Sequence, residues 1–240
     1  LVLTINTEKI FNDAVFDLMT NNDLINDLSS GPLSRIIQDP SSAGLKMFSK
    51  YHLFISGSSL FDAKAGIILP LNDGGDLAEY VSENFGANVI ENDGFKVAQI
   101  TNEHSLVWDD YTAIYYYGVS KGNLINDVKK FFTQTSNQSL ASKDSTFFYA
   151  LNSKAHISTW VKNEDFIKLI DQSLSLVEGM SAINFPFKNK KGVKNVKTVF
   201  LTNFNNGNIT INQRQYLTPE QIQEEHQFKK ENNIASLVPM

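Results

Sequence analysis

The chain has 240 residues, of which 42% are apolar and 11% aromatic, which is enough for one large hydrophobic core or two modest ones. Its formal net charge is -5, so it presents no basic field to a phosphate backbone and we expect no nucleic-acid binding. Because it contains no cysteine, disulfide scaffolds, thiolate metal sites and cysteine nucleophiles are excluded.

The chain begins on a predicted strand, Leu1–Ile5, without an initiator methionine. This opening lacks the basic, apolar and small-residue succession of a signal peptide. We therefore expect that an upstream part is missing, and an export signal or a lipid anchor would lie there. No run of about 18 apolar residues occurs, so we expect no transmembrane segment in this chain.

A strand followed by a capped helix is predicted twice. Thr7 can cap the first helix, and Asn163 can cap the second after a strand at Ile157–Val161. A constant shift in numbering carries the first pattern onto the second, which indicates a weak internal repeat. The two apolar stripes are Ile10, Phe11, Ala14, Val15 and Leu18, and Phe166, Ile167, Ile170 and Leu174.

The segment between the two copies alternates strands with helices. Asp76 can cap a helix that Gly86 ends. The other predicted elements are strands at Tyr51–Ser56 and Ala65–Leu71, hairpins within Val89–Ile100 and Leu106–Tyr117, and a helix at Asn123–Phe132.

A polar stretch then marks a boundary between residues 135 and 136, with residues 136–146 as a linker. The second half continues into a long hairpin, Val196–Phe204 with Ile209–Tyr216, and a helix that Thr218 can cap. The predicted fold is therefore α+β, with two related modules, 1–135 and 136–240. In each module helices pack on an antiparallel sheet.

No catalytic, cofactor or metal motif stands out. The four histidines are scattered, without the spacing of three or four residues that places two imidazoles on one helix face. They are His52, His104, His156 and His226. We expect no cofactor and no metal, and we interpret the chain as non-enzymatic. A hydrolase whose site is assembled from distant Asp, Glu and His residues is the third interpretation, since such sites leave no local signature.

Aromatic residues crowd two adjacent predicted strands. They are Trp108, Tyr111, Tyr115, Tyr116 and Tyr117. Alternation along a strand puts some of these rings on the outer face, where they can stack on a sugar or anchor a protein partner. The alternative is that helices cover both faces. Trp108, Tyr111, Tyr115 and Tyr117 are the candidate binding residues.

The order of these elements resembles an uncharacterised family of Bacteroidota envelope lipoproteins. The resemblance is carried by the opening strand into the Thr7–Glu8 helix, the strand and helix of 65–85, the hairpin at Asn92–Gly94, the second strand into a helix at 156–166, and the hairpin at Asn205–Asn208. It implies an exported, lipid-anchored protein of the periplasm or outer-membrane surface, with no established activity.

The function expected from all of this is protein binding in the cell envelope. The chain would be an accessory subunit of a surface or periplasmic assembly and would bind an envelope protein through a sheet face or the polar C-terminal helix. The alternative is a glycan or small-ligand binding protein that uses the aromatic strands.

Overall fold

The structure is a computed structural model that describes residues 1–11, 40–57, 63–92, 94–118, 124–175, 195–205, 208–223 and 227. Within these ranges the chain is an α+β protein, as the sequence predicts. It is built on one antiparallel sheet of ten strands in the described part. No described helix has the length and apolar character that a membrane span requires.

The strands follow the predicted pattern closely, with ends that differ by one or two residues. They are β1 Val2–Asn6, β2 Lys50–Ser56, β3 Lys64–Pro70, β4 Val89–Asn92, β5 Phe95–Gln99, β6 His104–Trp108, β7 Thr112–Gly118, β8 Ile157–Lys162, β9 Lys197–Asn205 and β10 Asn208–Tyr216. The helices are α1 Gly74–Phe85, α2 Leu124–Phe132, α3 Leu140–Lys143, α4 Ser145–Leu151 and α5 Asn163–Ser175. Residues 7–11 and 219–223 are helical as well.

The sheet has the order β10-β9-β8-β1-β2-β3-β7-β6-β5-β4. β1 lies in its interior and pairs with β2 on one side and with β8 on the other. The first strands of the two predicted repeats are therefore direct neighbours. The predicted modules 1–135 and 136–240 share one continuous sheet, and their division into separate units stays a prediction.

Helices pack on both faces of the sheet where β6 and β7 pair. Leu77 and Val81 of α1 pack with Trp108 and Ala113 on one face. Val128 of α2 packs with Tyr116 and its neighbours on the opposite face, because successive residues of a strand point to opposite sides. This arrangement follows the alternative in which helices cover both faces.

The segment predicted as a linker is largely helical. It contains a short 3-10 turn at Ser136–Gln138, then α3 and the start of α4. Ala150 and Phe147 of α4 pack against Trp160 of β8. These residues thus attach the second half of the sheet to its own helix.

The cap of α1 differs from the prediction. Asp73, and not Asp76, is the capping residue, and its carboxylate accepts hydrogen bonds from the backbone N–H groups of Gly75 at 2.6 Å and Asp76 at 3.3 Å. The helix starts earlier because Asp73 accepts these two N–H groups. Its first residue, Gly74, lies against the carbonyl of Asp109, where a Cβ would lie 2.6 Å from the oxygen. Gly86 ends the helix in the left-handed region, at φ 61°, as predicted.

Candidate functional site

The candidate aromatic residues of β6 and β7 do not form one surface. Trp108 is completely buried beneath α1, and its Nε1–H donates to the carbonyl of Gly74 at 2.8 Å. Tyr116 is buried on the other face, next to Phe54. Trp108 therefore offers no exposed ring, and the expectation that it belongs to an open platform is corrected to a core position.

The remaining candidates separate toward the two ends of the β6–β7 hairpin. Tyr111 lies in the connecting turn with 77% of its surface exposed, and the carboxylate of Asp109 accepts the Tyr111 backbone N–H at 2.8 Å. Tyr115 and Tyr117 are half-buried beside His104 on the face that carries α1. Tyr111 is thus an isolated ring, apart from the other two.

His104 and Tyr115 form a polar pair within this cluster. The Tyr115 hydroxyl and the Nδ1 atom of His104 are 2.6 Å apart, and the His104 and Tyr117 ring centroids are 4.8 Å apart. Burial raises the pKa of Tyr115, so the phenol keeps its proton at neutral pH. His104 thus holds the rings of Tyr115 and Tyr117 next to it on this face of the sheet.

A cavity of about 470 Å³ lies elsewhere, over the β1–β2–β3–β7 part of the sheet. Its lining mixes polar, charged and apolar groups: Asn6, Glu8, Phe48, Ser49, Lys50, His52, Ile68, Pro70 and Thr112. The register brings most of them together, because Asn6 is opposite Lys50 and His52 is opposite Ile68. This cavity was not predicted from the sequence, because its lining comes from four segments that are distant in the chain.

Two of the lining side chains are held in place by hydrogen bonds. The ammonium group of Lys50 donates to the carbonyls of Leu151 at 2.8 Å and Ser153 at 3.3 Å, which leaves one of its three N–H donors for another acceptor. The Nδ1 atom of His52 lies 3.0 Å from the Thr4 hydroxyl. Burial, and then the charge of Lys50, lower the pKa of His52, so its imidazole is neutral at pH 7.

These groups can hydrogen-bond a ligand that enters the cavity. The hydrogen-bond partner of neutral His52 is the Thr4 hydroxyl, and no carboxylate is hydrogen-bonded to it among the described contacts. Among the described residues, no three His, Asp or Glu side chains converge as a metal site. The cavity falls within the size range of small-molecule sites.

A second cavity of about 350 Å³ lies on the β9–β10 hairpin. The guanidinium of Arg214 sits 5.1 Å from the centroid of the Tyr149 ring of α4, which is a cation–π distance. Asn212 lines the same cavity. This contact links α4 to the last strand of the sheet.

The β10 edge, which we define as the strand Asn208–Tyr216, is an exposed edge of the described sheet. β10 pairs with β9 in an unbroken register over its full length, and every residue except Tyr216 is exposed. Ile209 and Ile211 lie on the same face of the sheet, with 67% and 62% of their surfaces exposed. The hairpin was predicted from the sequence, but the position of its second strand at the edge of the sheet was not.

The model of the family described as "Domain of unknown function (DUF4836)" matches residues 1–237, and the chain belongs to this family. The comparison with curated proteins gives no match.

Solved structures of the protein TP0453 share the fold. Its crystal form III superimposes with a TM-score of 0.52 at 11% identity, covering 97% of this chain and 81% of that one. Its crystal form I gives 0.51 at 11% identity, covering 100% and 84%. At this identity the likeness concerns the arrangement of the chain alone.

Proposed function

We propose that this member of the DUF4836 family is a non-enzymatic cell-envelope protein that binds another protein chain, as an accessory subunit of a surface or periplasmic assembly. The β10 edge is the observation that carries the proposal. The location in the envelope is supported by the resemblance in element order to envelope lipoproteins.

The β10 edge supports protein binding for two reasons. The outer strand of a sheet presents unpaired backbone groups to which another strand can add, which is a common mode of peptide recognition. Ile209 and Ile211 add an apolar strip on one face of that strand. Backbone hydrogen bonds would supply affinity, and the two isoleucines would add apolar contacts on one face of the paired strands.

An affinity pull-down from gently solubilised native envelopes tests this proposal. The bait is the chain, and the test variant carries Ile209→Glu and Ile211→Glu, which place charge on the apolar strip. Ile90→Glu is the matched control, because Ile90 is also an exposed isoleucine, at 56%, on the opposite edge strand β4.

We expect the wild type and the Ile90→Glu control to recover the same protein, and the double variant to recover at least tenfold less. Equal recovery by all three would contradict a role for the β10 edge. Circular dichroism spectra of the three baits establish that they share one fold.

Small-ligand binding is the second candidate function, and the cavity of about 470 Å³ favours it. The aromatic strands contribute Thr112 to this cavity and none of the aromatic candidates. The exposed ring at the cavity is Phe48, which packs edge-on against Phe11 with centroids 4.9 Å apart. A glycan or a short peptide could stack on Phe48 and hydrogen-bond to Asn6 and Lys50.

Ligand-observed NMR with short glycans and peptides tests this second candidate. A ligand of the cavity should lose its signal change in a Phe48→Ala variant and keep it in Phe148→Ala, an exposed phenylalanine on α4. A panel in which no compound responds to wild-type protein, or in which both variants respond equally, would argue against the cavity.

A further inference from the structure

The β10 edge lacks the devices that normally prevent sheet edges from pairing. Proteins protect such edges with short strands, proline, lysine, inward charges or bulges. β10 has nine residues, contains no proline, lysine or acidic residue, and follows β9 without a bulge. Its one charge is Arg214. The opposite edge strand, β4, has four residues and carries Glu91.

The backbone groups of β10 that face outward can be identified. The N–H of Phe204 donates to Nδ1 of His156 at 3.2 Å, and His156 precedes β8, on the side of β9 away from β10. The pair Phe204–Ile209 is therefore not hydrogen-bonded between β9 and β10. Since hydrogen-bonded and other pairs alternate along an antiparallel ladder, the outward N–H and C=O groups belong to Ile209, Ile211, Gln213 and Gln215.

We infer that the β10 edge pairs with the β10 edge of a second copy of this chain, antiparallel and centred on Asn212. This inference rests on the proposed function, that the edge binds protein, and it names the partner. A two-fold axis at Asn212 pairs the outward groups of Ile209 with those of the second copy's Gln215. It likewise pairs Ile211 with the second copy's Gln213, so the whole strand is used.

The chemistry of the strand fits its own copy. Each outward pair would exchange two backbone hydrogen bonds. On the other face Arg214 would lie opposite the second copy's Thr210. This avoids two like charges directly opposite each other, which would be destabilising. The contact is the same surface on both copies, as in the commonest closed homo-oligomers. The two sheets would join into one continuous sheet.

A single introduced cysteine tests both the partner and the register, because the chain has no cysteine of its own. Asn212 would lie opposite Asn212 of the second copy, on the two-fold axis. This pair would not be hydrogen-bonded between the copies, and in such pairs the Cα atoms are about 4.5 Å apart. That distance suits a disulfide. Asn212→Cys should therefore form a covalent dimer under mild oxidation, with twice the mass on a non-reducing gel.

Thr210→Cys is the matched control. Thr210 lies on the same strand and the same face as Asn212 and is also exposed. The Thr210 residues of the two copies, however, would be four positions apart along the paired strands, roughly 13 Å. This exceeds the reach of a disulfide, which requires Cα atoms within about 7 Å. We expect at least tenfold less covalent dimer from this variant.

Sedimentation velocity of the cysteine-free chain completes the test. Wild type and Ile90→Lys should show a concentration-dependent doubling of mass, and Ile211→Lys should shift the dimerisation constant at least tenfold toward monomer. A monomeric wild type together with no covalent dimer from Asn212→Cys would overturn the inference. If the pull-down still recovers another envelope protein through this edge, the self-pairing fails alone; if it recovers none, the proposed function fails too.

Discussion

Trp108 and Trp160 each use the indole N–H to fasten a helix to the sheet. Trp108 donates to the carbonyl of Gly74 in α1 at 2.8 Å, and Trp160 donates to the hydroxyl of Thr146 in α4 at 2.9 Å. Both rings are buried. Trp108, one of the four candidate binding residues, is thus part of the core.

Replacing Trp108 should therefore change stability. Trp108→Phe removes the donor and leaves the Gly74 carbonyl buried without this partner, so we predict a loss of about 1–3 kcal/mol in the free energy of unfolding. Urea denaturation followed by circular dichroism measures it. Tyr111→Ala is the comparison, and because Tyr111 is 77% exposed, its change should stay within about 0.5 kcal/mol. Equal effects would show that the burial is misassigned.

Asp144 makes a pH-dependent contribution to the free energy of unfolding. Its carboxylate, 8% exposed, accepts hydrogen bonds from the backbone N–H groups of Thr146 and Phe147 and pairs with the ammonium of Lys197 at 2.7 Å. Burial alone would raise its pKa, but the hydrogen bonds from Lys197, Thr146 and Phe147 together hold the pKa of this carboxyl below its ordinary value.

The pKa of Asp144 is lower in the folded state than in the unfolded state. Its carboxylate therefore stabilises the fold fully above the unfolded-state pKa, about 3.9, and this stabilisation is lost as the pH falls through the folded-state pKa. We predict that Asp144→Asn costs about 1–3 kcal/mol at pH 7 and that the gap to wild type narrows in acid. Urea titrations between pH 7 and pH 3 test this. Glu164→Gln, which breaks an exposed pair with Lys168, should show no measurable change; a constant gap for Asp144→Asn would contradict the assignment.

At the scale of single elements, local signals in the sequence were informative. The Thr218 cap is confirmed, since its hydroxyl accepts the Gln221 backbone N–H at 3.4 Å and its own backbone N–H donates to the Gln221 side chain at 2.8 Å. The Asn205–Asn208 connection joins the two strands as predicted. α4 was missed because seven residues give no clear period. Its cap, Asp144 before Ser145 and Thr146, was the available signal. The expected helix beyond residue 223 lies outside the described residues, apart from residue 227.

Hydrogen exchange should distinguish the two sets of amides in β10. Amides of Thr210, Asn212 and Arg214 face β9 and should be protected at every protein concentration. Those of Ile211 and Gln213 face outward, so they should exchange quickly in dilute protein. NMR-detected exchange at high concentration should slow the outward set by about tenfold or more, as dimerisation closes them. Protection that does not depend on concentration would argue against an open edge.

At the scale of the whole molecule, the interior position of β1 joins the two halves of the chain into one sheet. β1 pairs with β2 from the first half of the chain and with β8 from the second half. The sequence predicted both strand-then-helix copies but could not show that they are adjacent, because such pairing joins residues about 150 positions apart. The class α+β follows from local patterns, whereas strand order does not.

This shared sheet predicts that the two halves unfold together. The chain has two tryptophans, Trp108 in the first half and Trp160 in the second, so each single-tryptophan variant reports on one half. Within Trp108→Phe and within Trp160→Phe, the fluorescence and circular dichroism transitions in urea should coincide. Separate transitions would instead support two independent modules with the boundary at residues 135–136.

Partner binding through the β10 edge is the central claim, and in-cell photo-cross-linking tests it most directly. A photoreactive phenylalanine analogue is placed at Ile211, and the same analogue at Ile90 serves as the control on the opposite edge. The account predicts a reproducible cross-linked protein, a second copy of this chain or another envelope protein, from position 211 and none from position 90. Absence of any cross-link at 211, or the same products at both positions, would contradict it.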